Sequence, residues 1–132
     1  MSVGLVLVSH SRLVGEGLAE MVGQLARGRV QIAVASGASD GGLGTDATAI
    51  FSAIESVDGQ EGVLVLVDLG SAVLAAESAF ELLPSDLRGR VQMADAPLVE
   101  GAVAAAVLAS IDEDLDEVRG AAEGARDFRK LR

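Results

Sequence analysis

The chain contains a single histidine, His10, in the stretch SHS that directly follows a run of apolar residues. An unperturbed imidazole has a pKa of ~6.5, so at neutral pH one of its ring nitrogens can act as a nucleophile. A metal site is not expected, because zinc needs three or four protein ligands and no ligand spacing accompanies this histidine. Its place at the end of a predicted strand favours a chemical role for His10.

Asp68 stands at the corresponding place in VLVLVDLGSA. A carboxylate beside an imidazole can hold the N–H of one ring nitrogen, so that the other nitrogen is left as the nucleophile. The structural alternative is that Asp68 caps the helix that follows, although Ser71 could serve there too. Neither Ser71 nor Ser9 lies in a G-x-S-x-G elbow, so a serine nucleophile is not favoured.

The loop over residues 36–46 contains GGLGTD and leads into Ala47. The pattern fits the dinucleotide fingerprint G-x-G-x-x-A weakly, because that fingerprint should follow the first strand directly. There is no P-loop motif, and Lys130 is the only lysine. A glycine-rich helix start can still hold a phosphoryl group without a whole nucleotide. A flexible loop with a Thr45 or Asp46 cap is an equally good interpretation.

Four apolar runs predict buried strands over residues 3–8, 30–35, 63–67 and 91–94, and each is followed by a segment with helical periodicity. The buried face of the first helix is predicted to comprise Val14, Leu18, Met21, Val22 and Leu25. A last helix is predicted over about 112–131, with Leu115, Val118 and Ala122 buried.

This pattern predicts an α/β fold with three layers, in which a mainly parallel sheet of order 2-1-3-4 has helices on both faces. Strand 1 then lies beside strand 3, and ligands of such sheets bind beyond the carboxyl ends of the strands where the order reverses. We therefore expect His10 and Asp68 on the same rim.

The composition suits one domain spanning residues 1–132, since half of the residues are hydrophobic. The net charge of −10 disfavours nucleic acid as a partner. The apolar runs are too short to span a membrane, and the absence of cysteine fits the cytoplasm. Four cations, Arg126, Arg129, Lys130 and Arg132, end the chain. They are interpreted as a solvated helix end or, less favourably, as a docking patch.

The motifs LVLVSHS, GTDA, VLVLVDLGSAVLAAESAFELL and APLVEGAVAAA resemble the DhaM family, the phosphotransfer subunits of the phosphotransferase-system-dependent dihydroxyacetone kinase. The resemblance covers residues 3–110 and implies the fold of mannose-type IIA domains. It implies that His10 takes a phosphoryl group from the phosphocarrier protein HPr and delivers it to ADP. That ADP would be held by the nucleotide-binding subunit of the kinase, so this chain would be a phosphotransferase subunit without a cofactor of its own.

The same resemblance implies that Asp68 orients the histidine. It places Ser11, Gly44, Thr45, Gly70 and Ser71 around the phosphoryl oxygens. Members of the family form homodimers, and the wide Ala/Val arc of the helix after Pro97 is compatible with a buried interface.

Two other classes of function stay open. The first is a receiver-like regulatory module phosphorylated on Asp68, although such modules need an acidic pair after strand 1, where this chain has Ser9-His10-Ser11. The second is a nucleotide- or flavin-binding module that uses GGLGTD, although the absence of Trp and Tyr leaves few groups to stack on a flavin.

Overall fold

The architecture of this chain follows from four short apolar strands that pair side by side. The computed structural model describes residues 2–132. The strands are β1 (Gly4–Ser9), β2 (Ile32–Ser36), β3 (Val63–Val67) and β4 (Val91–Met93). All four are parallel and lie in the order β2-β1-β3-β4. The predicted sheet order and fold class are therefore confirmed.

Six α-helices connect and cover these strands. They are α1 (Arg12–Leu25), α2 (Ala47–Val57), α3 (Gly70–Leu82), α4 (Ser85–Arg88), α5 (Leu98–Ser110) and α6 (Leu115–Gly124), and a 3₁₀ turn, Ala125–Asp127, follows them. The short α4 was not predicted. Pro97 stands at the N-cap of α5, because its fixed φ suits a helix start.

The two faces of the sheet build two separate cores because neighbouring strand residues point to opposite sides. Leu5 and Leu7 of β1 pack with Leu18 of α1 and with residues of α5 and α6. Val6 and Val8 pack on the other face with residues of α2, α3 and α4. The result is the predicted arrangement of three layers.

The buried face of α1 differs from the prediction. Leu18 and Val22 are buried, but Val14, Met21 and Leu25 are exposed. The helix turns Gly15 to the sheet instead, where an added Cβ would lie 2.5 Å from Ser36 Oγ. The close approach at Gly15 thus sets the orientation of α1. A search for periodic apolar residues cannot detect this contact, because glycine has no side chain.

The predicted last helix over 112–131 is too long at both ends. It begins at Leu115 because the Asp114 side chain accepts a hydrogen bond from the Glu117 amide at 2.9 Å and so caps the helix. It ends at Gly124, since glycine is a poor helix former. Beyond it the tail folds back, and Lys130 Nζ lies 2.7 Å from Glu100 Oε2 of α5.

Candidate active site

The pairing of β1 with β3 brings His10 and Asp68 together. Val8 of β1 is in register with Val67 of β3, and the Asp68 amide donates to the Val8 carbonyl at 3.1 Å. His10 and Asp68 therefore leave the sheet at the same rim. His10 Nδ1 lies 2.9 Å from Asp68 Oδ1.

The Asp68 carboxylate is surrounded by four hydrogen-bond donors. Oδ1 accepts from His10 Nδ1 at 2.9 Å and from the Leu69 amide at 2.7 Å. Oδ2 accepts from the His10 amide at 2.8 Å and from Ser9 Oγ at 3.0 Å. Burial alone would raise the pKa of Asp68, but these donors outweigh it and lower the pKa below its ordinary value of 3.8. Asp68 is therefore an anion at neutral pH.

The ionised carboxylate determines which nitrogen of the neutral His10 ring carries the proton. A carboxylate can only accept hydrogen bonds, so Nδ1 must be the donor and Nε2 keeps its lone pair. Ser71 Oγ lies 2.7 Å from Nε2 and can donate its hydroxyl proton to it. The His10 side chain is 23% exposed. The ring is thus held firmly at Nδ1 while Nε2 faces the rim.

Ser9 is a part of the site that the sequence offered only as a serine nucleophile, which was not favoured. It is buried, its hydroxyl donates to Asp68 Oδ2, and its Oγ accepts from the Ser11 amide at 3.1 Å. Ser9 therefore couples the carboxylate to the backbone that begins α1. The signal for this role is a hydroxyl at the last position of an otherwise apolar strand.

The start of α3 lies directly beside the ring. Its first two residues are Gly70 and Ser71, and its N-cap residue, Leu69, makes no side-chain capping bond. The N-caps of α1 and α2, Ser11 and Asp46, do make such bonds. The amides of a first helical turn have no acceptor inside the helix, so the end of α3 near Nε2 is positively polarised.

The glycine-rich loop lies on the other side of His10 and contacts its backbone. Gly44 has a φ of +146°, and its amide donates to the His10 carbonyl at 3.0 Å. Thr45 makes no hydrogen bond to the His10 side chain among the described residues. Ser11 serves as the N-cap of α1, where its hydroxyl accepts from the Val14 amide at 3.4 Å. The role of these three residues at a phosphoryl group stays a prediction.

Within residues 2–132 there is no group of three or more histidine, aspartate or glutamate side chains that could hold a metal ion. Over the same residues no helix is long and apolar enough to cross a membrane.

The observed fold agrees with what comparison with known proteins finds. The model of the EIIA-man family, described as the PTS system fructose IIA component, matches residues 4–119. The chain belongs to this family. The phosphoryl donor subunit DhaM of the PEP-dependent dihydroxyacetone kinase 2 of Listeria innocua is 40% identical over 116 residues, which are 88% of this chain and 93% of that protein. The chain is thus also a relative of the DhaM subunits.

Two further relatives define how far this likeness extends. The DhaM subunit of Escherichia coli, named for the same kind of kinase, is 46% identical over 119 residues, or 88% of this chain. This chain spans only 25% of that longer protein. A crystal structure of a protein described as of unknown function is 36% identical, covers 100% of both chains and has a TM-score of 0.85. The likeness to this structure thus extends beyond residues 4–119, which the family model matches.

Proposed function

We propose that this chain is a phosphohistidine carrier that accepts a phosphoryl group on Nε2 of His10. The observation that carries the proposal is the ring geometry, in which Asp68 binds Nδ1 at 2.9 Å while Nε2 meets only the hydroxyl of Ser71 at 2.7 Å. A nucleophile needs a free lone pair and an open approach, and Nε2 has both once the hydroxyl turns away.

The transfer requires no proton to be gained or lost overall. The Nε2 lone pair forms a bond to phosphorus as the bond from phosphorus to the donor's imidazole breaks, with the two nitrogens in line. The phosphorylated ring carries positive charge because both nitrogens are then substituted. Asp68 stabilises this charge through Nδ1, which is the role that a buried carboxylate has beside a catalytic histidine.

The phosphoryl oxygens are held by the start of α3. The amides of Gly70 and Ser71 lie in its first turn, where an anion is favoured by the helix dipole. The hydroxyl of Ser71, released from Nε2, can donate to one of the same oxygens. An added Cβ at Gly70 would meet nothing within 4 Å, so space for the group exists above this residue.

The partners follow from the relatives. Their names describe phosphoryl donor subunits of a PEP-dependent dihydroxyacetone kinase. For this chain we propose phosphorylated HPr as the donor and, as the acceptor, ADP bound to the nucleotide-binding subunit of such a kinase. The chain would work as one phosphocarrier domain over residues 1–132, without a bound cofactor, in the cytoplasm. A homodimer is also proposed, and the exposed Val99 and Val107 of α5 are compatible with it.

The receiver-like alternative would require Asp68 itself to attack phosphorus. Each of its oxygens already accepts two hydrogen bonds, so its lone pairs are engaged by the protein. Attack from either oxygen would cost two charge-assisted hydrogen bonds, whereas attack from Nε2 costs one bond to a hydroxyl. The geometry therefore favours histidine over aspartate as the acceptor.

The proposal is tested by incubating the chain with phosphorylated HPr and mapping the modified residue. A phosphoramidate on His10 should be lost in mild acid, survive alkali and form without magnesium. An acyl phosphate on Asp68 would instead be hydrolysed by alkali and cleaved by hydroxylamine. Alkali-labile label that persists in His10→Ala would assign the role to Asp68, and tight binding of ADP to the chain alone would favour the nucleotide-binding alternative.

A further inference from the structure

Of the residues that the structure describes, Ser9 is the one polar residue that is buried, at 1% exposure. It is the last residue of β1 and directly precedes His10. Burying a hydroxyl costs free energy unless the group is hydrogen-bonded. The partners of Ser9 Oγ therefore indicate why a hydroxyl stands at the end of an otherwise apolar strand.

Both partners of the Ser9 hydroxyl belong to the site. An ionised carboxylate can only accept, so Ser9 Oγ donates its proton to Asp68 Oδ2 over 3.0 Å. Ser9 Oγ itself accepts from the Ser11 amide over 3.1 Å. The hydroxyl is therefore fixed from both sides, and its proton is directed at the carboxylate.

The Asp68 carboxylate depends on its donors for its orientation, because rotation of a carboxylate about the Cβ–Cγ bond is soft. Oδ1 accepts from His10 Nδ1 and from the Leu69 amide, and Oδ2 accepts from the His10 amide and from Ser9 Oγ. Two of these four donors are backbone amides and one is the ring itself. Ser9 Oγ is therefore the donor that a substitution can remove while leaving His10 and the backbone donors in place.

We propose that Ser9 is a positioning residue for phosphoryl transfer, which holds Asp68 Oδ2 in place so that Oδ1 keeps the His10 ring oriented with Nε2 toward the donor. This inference rests on the proposed function. A carboxylate that can turn lets the ring turn with it, and transfer slows because the reacting atoms are no longer in line. Removal of one oxygen at a position with 1% exposure leaves too little room for a water molecule to take over the bond.

The neighbouring strand β2 provides a matched control. Ser36 is in register with Ser9 and ends its strand at the same rim. The hydroxyl of Ser36 lies 3.5 Å from the Arg12 carbonyl, to which it donates. Ser36→Ala thus removes a hydroxyl from the rim without removing a donor from the Asp68 carboxylate.

The test measures labelling of His10 by two phosphoryl donors, phosphorylated HPr and phosphoramidate. Phosphoramidate is a small molecule that transfers its phosphoryl group to a ring nitrogen as its own P–N bond breaks and ammonia leaves. The variants are Ser9→Ala, Ser9→Thr and Ser9→Val. The threonine side chain keeps the hydroxyl and the valine side chain has the same shape without it, so this pair isolates the hydroxyl even if the extra methyl group disturbs the packing.

Single-turnover rates are measured over a range of donor concentrations. Ser9→Ala should reduce the rate at saturating donor about tenfold with both donors, as for a lost hydrogen bond to a charged group. The donor concentration at half-maximal rate should not change, because the buried hydroxyl does not touch the donor. Ser9→Thr should be about tenfold faster than Ser9→Val, and Ser36→Ala should match the parent chain.

A double-mutant cycle separates positioning through Asp68 from a purely structural role. In an Asp68→Ala background, Ser9→Ala should cause no further loss of rate, because no carboxylate is left to position. A purely structural role of Ser9 would instead give the same loss in both backgrounds.

Three results would overturn the proposal. The first is a Ser9→Ala rate equal to that of the parent, and the second is a Ser9→Thr rate as low as that of Ser9→Val. The third is the same loss from Ser9→Ala with and without the Asp68 side chain. If the parent chain itself were never labelled on His10 by phosphorylated HPr, the proposed function would fail, whereas normal labelling of the parent and an unaffected Ser9→Ala would refute the role of Ser9 alone.

Discussion

Two segments flank the ring of His10, and both contain glycines and hydroxyls, which are residue types that commonly bind phosphate groups. On one side the start of α3 places Ser71 Oγ 2.7 Å from Nε2. On the other side the glycine-rich loop bonds to the backbone of His10 through the Gly44 amide at 3.0 Å. The start of α3 therefore contacts Nε2 itself, whereas the glycine-rich loop contacts the backbone of His10.

Although both segments have a phosphate-binding composition, we expect them to differ in how they meet a phosphoryl group. In the loop, the Ala38 amide donates to the Gly42 carbonyl and the Gly42 amide donates to Asp40 Oδ1, so these donors serve the loop itself. At the start of α3 the helix geometry leaves the first amides without an internal acceptor. We therefore expect the first amides of α3, rather than those of Ala38 and Gly42, to be available to a phosphoryl group.

The largest effect is expected for His10→Ala, which removes the proposed nucleophile. Phosphoryl acceptance from phosphorylated HPr should fall to background, measured as acid-labile label. The thermal unfolding midpoint should move little, because His10 lies at the rim outside both apolar cores. Normal turnover of the variant in a coupled dihydroxyacetone phosphorylation assay would refute the role given to His10.

Asp68→Asn should reduce the transfer rate by about 10- to 100-fold. The substitution removes the carboxylate that orients the ring and stabilises its positive charge, but it leaves the nucleophile in place. The single-turnover rate at limiting donor measures this effect. A rate equal to that of the parent would exclude a function of the histidine–aspartate pair.

The same variant has a defined signature in stability against pH. The pKa of Asp68 is lower in the folded chain than the ordinary value of 3.8 for this side chain. Its anion therefore stabilises the fold fully above that value, and this stability is lost as the pH falls through the folded pKa. Between about pH 5 and pH 2 the free energy of unfolding should decrease more steeply for the parent than for Asp68→Asn. Parallel curves in urea titrations would contradict the assigned hydrogen bonds.

Ser71→Ala and Thr45→Ala compare the two segments directly. If the start of α3 holds the phosphoryl oxygens, Ser71→Ala should reduce the rate about tenfold, the effect of one hydrogen bond to a charged group. Thr45→Ala should have a smaller effect, because Thr45 has no hydrogen bond to the His10 side chain. The reverse order would transfer the phosphoryl-binding role to the glycine-rich loop, as its composition predicts.

Gly44→Ala should affect stability more than chemistry. The φ of +146° disfavours a side chain, and an added Cβ would lie 3.2 Å from Ala38 Cβ. We expect a loss of about 1–3 kcal/mol in the free energy of unfolding and a modest loss of rate, as the His10 carbonyl loses a well-placed donor. Gly41→Ala is a useful control, since Gly41 shares the positive φ, at +88°, but no atom lies within 4 Å of an added Cβ.

The sequence predicted the sheet well because strands buried on both faces leave an unmistakable apolar run. The same topology placed His10 and Asp68 on one rim, and the 2.9 Å between Nδ1 and Oδ1 agrees with that prediction. What the sequence could not show is which imidazole nitrogen is available. The available nitrogen depends on which atoms donate hydrogen bonds to the Asp68 carboxylate. These four donors come from the ends of two strands, and their positions are known only from the structure.

The orientation of α1 and the length of the last helix were also beyond the sequence. Gly15 faces the sheet because the helix lies too close to Ser36 for a side chain, and this distance is a property of packing. The last helix was predicted to end at about residue 131 because the cations of the tail were interpreted as a helix end. In the structure Lys130 instead bonds to Glu100, a residue 30 positions away in sequence.

The Asp68 carboxylate joins the ends of β1 and β3, since it binds Ser9 and His10 on one strand and Leu69 after the other. The backbone amides of His10 and Leu69, which donate hydrogen bonds to it, can therefore report local opening of this end of the sheet. Their deuterium uptake should be slow while the carboxylate stays ionised, and they should exchange together, because one rotation of the side chain releases both. Local opening of the sheet at this end would then occur together with loss of the orientation of the His10 ring.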